Sequence, residues 1–283
     1  MYCYSIADTM LANNITGEIL HRIGKGYLPM TEAKAIAILA TYAGEILLRN
    51  GAETYRVEET VRRMCTAKGL QYIETFVTPT GIIVNVDNKD TQPVTIVRTI
   101  ERRGFNLSKV VAVNDFSRQF TTRHIALEAG IAELKAIDSG NLGYRRTTVI
   151  LSAGIAASAA AILLGGSWQD FLPTLVAAIL VQTLPEGIPF LNQVLFSKNY
   201  LGGLLAALTA ALFLKLGLGA HQDKIIVGAL LPLVPGVAVT NSIRDFISGD
   251  LISGTIRGVE ALLASIAIAG GVGLGLSLYL LLF

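Results

Sequence analysis

The sequence predicts a polytopic α-helical membrane protein of five spans with an N-terminal cytoplasmic α+β domain, and three observations predict it. Charge is unevenly placed: of 44 charged residues, 23 basic and 21 acidic, 33 lie in residues 1–146 and 11 in 147–283. From Thr147 onward the chain reads as five apolar segments, each near or above the roughly 20 residues that cross about 30 Å of hydrocarbon. Before Thr147, charged helical patterns alternate with β-branched runs, the composition of a soluble domain. The boundary is therefore expected at 146/147.

Residues 5–24 have the spacing of a mixed amphipathic helix ending at Gly24, Gly26 and Pro29. A second helix, with Thr31 as cap, runs through AKAIAILATYAGEILLR, where apolar residues recur at helical spacing, and stops at Asn50-Gly51. Glu53 to Lys68 resumes as a charged helix closed by Gly69. The character then changes. YIETFVTPTGIIVNV predicts two strands joined by a turn at Pro79 and Gly81, and PVTIVRTI a third strand after the turn at Asp87 to Asp90. Residues 106–124 and 126–139 return to helical spacing, ending near Ser139-Gly140.

The five predicted spans are 147–164, 171–191, 200–219, 225–243 and 258–283, and their only charges are Glu186, Lys215 and Glu260. The Pro185-Glu186-Gly187-Ile188-Pro189 end of the second span reads equally as a re-entrant or interfacial segment. With the N-terminal domain inside, Arg145, Arg146, Lys198, Arg244 and Arg257 also fall inside, leaving Lys224 in an outer loop and Lys215 near the outer surface. This is the usual positive-inside bias, and it puts the C-terminus outside.

A net charge of +2 with interleaved signs argues against a nucleic-acid partner. Cys3 and Cys65 are isolated thiols, read as reduced and cytosolic, and the N-terminus lacks the pattern of a signal peptide. His21, His124 and His221 are scattered and suggest no metal site. No cofactor is expected, and no Walker loop, zinc motif or nucleophile elbow offers catalytic chemistry.

The candidate site centres on Leu230 to Glu260. This stretch opens as an uncharged apolar run broken by Pro232, Pro235 and Gly236, then meets Thr240, Asn241, Arg244, Asp245, Asp250, Arg257 and Glu260. A break frees backbone groups that hydrocarbon cannot satisfy, so protein or a watery cavity must. Pro235-Gly236 would divide the span into two half-helices whose ends attract a small zwitterion or anion, unless it is a kink absorbed by packing. Thr240, Asn241 and Asp245, at one-turn spacings, favour the functional reading. Glu260, about a turn into the fifth span, reads either as a proton carrier or amine-binding carboxylate, or as a charge neutralised by Arg257. Glu186 is the other candidate proton site. The glycines Gly270, Gly271, Gly273 and Gly275 read as helix-packing positions rather than a phosphate loop. In the soluble domain, Glu53, Arg56, Glu58, Glu59, Arg62 and Arg63 pair at three- and four-residue spacing, as a solvated face or, more sharply, a cytosolic gate.

Taken in order, RNGAETYRVEETVRRMCTAKGL, FVTPTGIIVNV, VNDFSRQ and LVPGVAVTNSIRDFISGDLISGTIRGVEALL resemble the N-terminal half of the threonine/serine exporter family, which also occurs as stand-alone YjjP-like proteins. The likeness runs from about residue 35 to the C-terminus, and its blocks add Thr78 and Thr80 to Glu53, Arg56 and Glu58 as cytosolic candidates. The resemblance implies proton-coupled export of small amino acids or, for YjjP-like members, of dicarboxylates such as succinate. It also implies a partner: a separately encoded membrane subunit resembling the family's second half, related to YjjB-like proteins. A homo-oligomer is compatible with the same reading. The rival from another class is a membrane-anchored sensor or scaffold whose cytosolic domain binds a ligand.

Overall fold

The computed structural model describes residues 32–88, 91–101, 104–183 and 196–282. The expected helix at 5–24, the cap Thr31, part of the turn at Asp87 to Asp90, and Glu186 lie outside or partly outside these residues. Two compact units meet between Gly143 and Tyr144.

The first unit is built on α1 (Glu32–Arg49), a helix buried along most of its length by small and aliphatic residues, with Lys34, Ile38, Tyr42 and Arg49 partly exposed along one side. It ends where Gly51 takes a φ of +94°, a left-handed conformation that suits glycine. Next comes α2 (Thr54–Thr66), closed in the same way at Gly69. A three-stranded antiparallel meander follows, with β1 (Tyr72–Thr78), β2 (Gly81–Asn88) and β3 (Thr91–Thr99) in the order β1-β2-β3. Period-two alternation sends Ile82, Val84 and Val86 into the core shared with α1. Two further helices, α3 (Leu107–Thr122) and α4 (Leu127–Ser139), complete that core with Phe116, Phe120 and Leu134.

Among the described residues the regular structure of the second unit is helical: α5 (Arg146–Leu163), α6 (Phe171–Thr183), α7 (Ser197–Lys215), α8 (Gln222–Leu230), α9 (Gly236–Ile247) and α10 (Leu251–Leu282). Three of these, α5, α7 and α10, are long and apolar enough to cross a membrane. A fourth crossing exists if the bent pair 222–233 and 236–247 is one span. The second expected span is described only through Thr183, as the 13 residues of α6. Glycine sets the closest helix approach. At Gly203 and Gly271 any side chain would run into the carbonyls of Ile268 and Tyr200 on the facing helix, so α7 and α10 touch backbone to backbone.

One buried carboxylate joins two hairpins of this unit. Asp170, in a short 3₁₀ turn before α6, is fully buried. It accepts from the N–H and Oγ of Ser167 at 2.7 and 3.0 Å, and from Ala220 and His221 backbone N–H groups at 2.7 and 2.9 Å. His221 Nδ1 lies 2.9 Å from the same carboxylate. Burial alone would raise the Asp170 carboxyl, but the backbone donors outweigh it and hold the group well below the usual carboxylate range. The α5–α6 and α7–α8 connections are thereby stapled together.

Two expectations about the polar stretch and one about the third span are corrected. The segment 244–257 left between the fourth and fifth expected spans is not a loop: α9 carries Asp245, α10 carries Arg257, and only Ser248 to Asp250 separate the helices. Gly249, at φ +85°, ends α9, and Asp250 Oδ1 accepts the Ser253 N–H at 3.0 Å to start α10. Consequently the last helix begins at Leu251 rather than 258, runs 32 residues or about 48 Å, and places Glu260 nearly three turns inside it rather than one. The third span also ends earlier than 219, because Lys215 is the last residue of α7 and Gly217 turns the chain with φ +70°.

Candidate functional site

At the broken segment, α8 gives way to one 3₁₀ turn, Leu231–Leu233, and α9 leaves at 59° to the preceding helix. Pro235 cannot donate a backbone hydrogen bond, so the α-helical ladder cannot pass through it. Val234 and Gly236 instead donate to Leu230 and Val234 carbonyls at 3.2 and 2.8 Å. Beyond the bend α9 packs chiefly on α10. Asn241, Ser242 and Asp245 are buried, while Val237, Val239, Ile243 and Ile247 are exposed together with Thr240 and Arg244. The exposed aliphatic side chains suit a helix that meets hydrocarbon on that side.

The facing stripe of α10 is Ser253, Gly254, Arg257 and Gly258. Small residues let the helices approach: the Phe246 ring covers Gly254, and Ser242 Oγ sits over Gly258 while donating to the Gly254 carbonyl at 2.7 Å. In this interface Arg257 Nε lies 3.1 Å from Asp245 Oδ2, both side chains buried. The contact is an ion pair of the two charges rather than an aligned hydrogen bond between those two atoms. Ser253, one turn before Arg257, is fully buried, and its Oγ has no hydrogen-bond partner among the described residues.

The structure thus sets Asp245 against Arg257, with Asn241 buried one turn before Asp245 on the same helix. Thr240 is exposed and turns back on its own helix, donating to the Gly236 carbonyl at 2.9 Å. Arg244 is exposed, Asp250 is the cap of α10, and Pro235 and Gly236 form the bend itself. Glu260 follows Arg257 by three residues and is half-buried. Ser242 and Ser253 were not singled out from the sequence. Their available signal was the repeat Ser253-Gly254 and Arg257-Gly258, two small-residue steps at four-residue spacing that bring a neighbouring helix close.

In the first unit the candidates are dispersed. Glu53, buried before α2, pairs with Arg56 at 2.6 Å, while Glu58 accepts the Val77 N–H at 3.1 Å and ties α2 to β1. Neither carboxylate belongs to a freely solvated face. Glu58 also lines an open groove of about 570 Å³ along α2, with Tyr55, Glu59, Arg62 and Arg63. Thr78 and Thr80 share a hydrogen bond of 3.2 Å across the β1–β2 turn. The densest electrostatics lie elsewhere, around Glu45. Burial pushes its carboxyl up, opposed by Arg98 and Arg49 at 3.8 and 3.9 Å. Arg49 continues to Asp138 at 3.3 Å, where Tyr42 also donates.

Comparison with known proteins bears on this geometry. A family model described as "ThrE: Putative threonine/serine exporter" matches residues 38–279. The chain belongs to that family. It is 28% identical over 254 residues to the "Threonine/serine exporter" of Corynebacterium glutamicum, an alignment covering 88% of this chain and 52% of that protein. Against the "Probable threonine/serine exporter" of Mycobacterium tuberculosis the figures are 23% identity, 81% and 43%. Against the "Probable succinate transporter subunit YjjP" of Escherichia coli they are 25%, 88% and 96%. This ThrE-family chain therefore spans about half the length of the exporters it matches and nearly all of YjjP. No solved structure matches it significantly. Family and apolar helices together make it a membrane protein.

Proposed function

We propose that this chain is one subunit of a proton-coupled secondary exporter of small zwitterionic amino acids of the threonine/serine type. It works with a second, separately encoded membrane subunit similar to the YjjB-like half of the family. The first unit is cytoplasmic, five spans follow, and the C-terminus is outside. The observation that carries this reading is the Asp245–Arg257 pair buried between a bent span and the last helix. A zwitterion can enter such a pair by offering its ammonium to Asp245 and its carboxylate to Arg257, so neither buried charge is left alone. Glu260 or Glu186 carries the coupled proton. Support for a partner comes from the word "subunit" in the name of the E. coli relative, which this chain matches almost end to end.

The same relative favours a second reading, dicarboxylate export. A dianion would find Arg257 but be repelled by Asp245, so the balance of this site favours the zwitterion. The deciding experiment is efflux from cells preloaded with threonine or succinate, with the chain expressed alone and with its partner, with and without a protonophore. Partner-dependent, protonophore-sensitive threonine efflux is the expected result. Succinate efflux would select the second reading. Absence of both, with the two subunits present in the membrane, would overturn export.

A further inference from the structure

We propose that Ser253 reads the substrate's hydroxyl group and so separates serine and threonine from their deoxy analogues; the inference rests on the amino-acid export reading above. The other described serines of α9, α10 and the turn between them close on carbonyls within this helix pair. Ser242 donates to Gly254, Ser248 to Arg244 at 3.0 Å, Ser265 to Ala261 at 2.9 Å and Ser277 to Gly273 at 2.8 Å. Ser253 cannot copy the back-bond of Ser265 or Ser277. The residue four before it is Gly249, whose left-handed conformation lies in the turn, so the carbonyl at that spacing is not part of a helix. Exposed, such a serine would bond to water. Ser253 is instead 0% exposed with Oγ unmatched.

An unmet buried hydroxyl is unfavourable in the resting protein, and a ligand that supplies the missing partner recovers that loss. Ser253 stands one helical turn from Arg257, on the stripe that faces α9 and Asp245. A β-hydroxy amino acid carries an ammonium, a carboxylate and a hydroxyl within a few ångströms. The interface offers a carboxylate, a guanidinium and an unmatched hydroxyl. An analogue without the hydroxyl leaves Ser253 as it was, which is the condition under which polar sites discriminate most strongly.

The test uses the full chain purified in nanodiscs, with ligand-induced stabilisation giving affinities for L-serine against L-alanine and L-threonine against L-2-aminobutyrate. Wild type should prefer each hydroxylated member by about tenfold or more. Ser253→Ala should bring both ratios close to one, and Ser253→Cys, of similar volume, should do the same if alanine proves unstable. Ser265→Ala, whose hydroxyl is matched within the helix, should keep the wild-type ratios. Ratios unaffected in both Ser253 variants would overturn the proposal. If Asp245→Asn and Arg257→Gln still abolish L-serine binding in that case, the site reading survives and only the role of Ser253 falls. A wild type that binds neither member of either pair would overturn both.

Discussion

Asp170 and Asp245 are both buried carboxylates of the helical unit, and their partners differ in kind. Backbone N–H groups of two connecting segments, fixed in place by the chain, hold Asp170, with Ser167 Oγ and His221 Nδ1 completing the set. Asp245 instead faces a long side chain, Arg257, on the next helix. Backbone donors cannot leave without unfolding the connection, whereas a guanidinium can exchange one carboxylate for another. The contrast teaches that two buried carboxylates can differ in whether their partners can be displaced, and on the function proposed above the Asp245 pair is the one open to exchange with a ligand.

The largest effect should come from breaking the Asp245 pair on one side. Asp245→Leu or Arg257→Met takes the opposite charge away from a buried ionised group, which costs about 3–5 kcal/mol, and transport should fall at least about a hundredfold. Replacing both together should return stability to within about 1 kcal/mol of wild type, because a buried pair and a packed apolar pair are nearly equivalent, while transport stays lost. Thermal unfolding read beside efflux checks this, and a double variant that transports would make the pair a second staple.

Asp170→Ala should come next, destabilising by about 3 kcal/mol or more through the three backbone donors left unmatched at Ser167, Ala220 and His221. The protein's single tryptophan, Trp168, lies two residues from Asp170 and reports the transition by fluorescence. At a temperature where the variant is still folded, substrate affinity should be unchanged. Altered affinity there would blur the distinction between staple and site.

A smaller effect is expected at Gly254. Ala there brings a methyl group to 2.8–3.0 Å from Phe246 ring carbons, a crowding worth about 1–3 kcal/mol, and should weaken substrate binding by prising α9 from α10. Smallest is a pH effect. The Asp170 carboxyl is held below its ordinary value, so its stabilisation is fully present above about pH 4 and is lost as pH falls through the lower folded value. In a His221→Ala background, the gap in unfolding midpoint between Asp170 and Asp170→Ala chains should stay level from about pH 8 to about pH 5 and narrow below about pH 4.

Much of the scaffold was legible because its signals are local. Gly51 and Gly69 stop helices for reasons contained in their own backbone, the β-branched runs at 72–99 can hardly pack as anything but strands, and Pro235 breaks a helical ladder wherever it stands. Part of the site was legible too, since Asn241, Asp245 and Arg257 stand out as polar groups in an apolar stretch. Other features depended on contacts between segments. That Gly249 and Asp250 make a turn between helices rather than a loop moved Glu260 deep into α10 and set Arg257 against Asp245. Asp170 and His221, 51 residues apart, carry no mutual signal along the chain. Ser253 is one serine among many until the fold buries it. Sequence alone determined where the chain is apolar, where its ladders break and which charges must be accounted for. Tertiary structure decided which of those charges meet, because the partner of a buried polar group is chosen by helix packing across the interior, and no local preference encodes it.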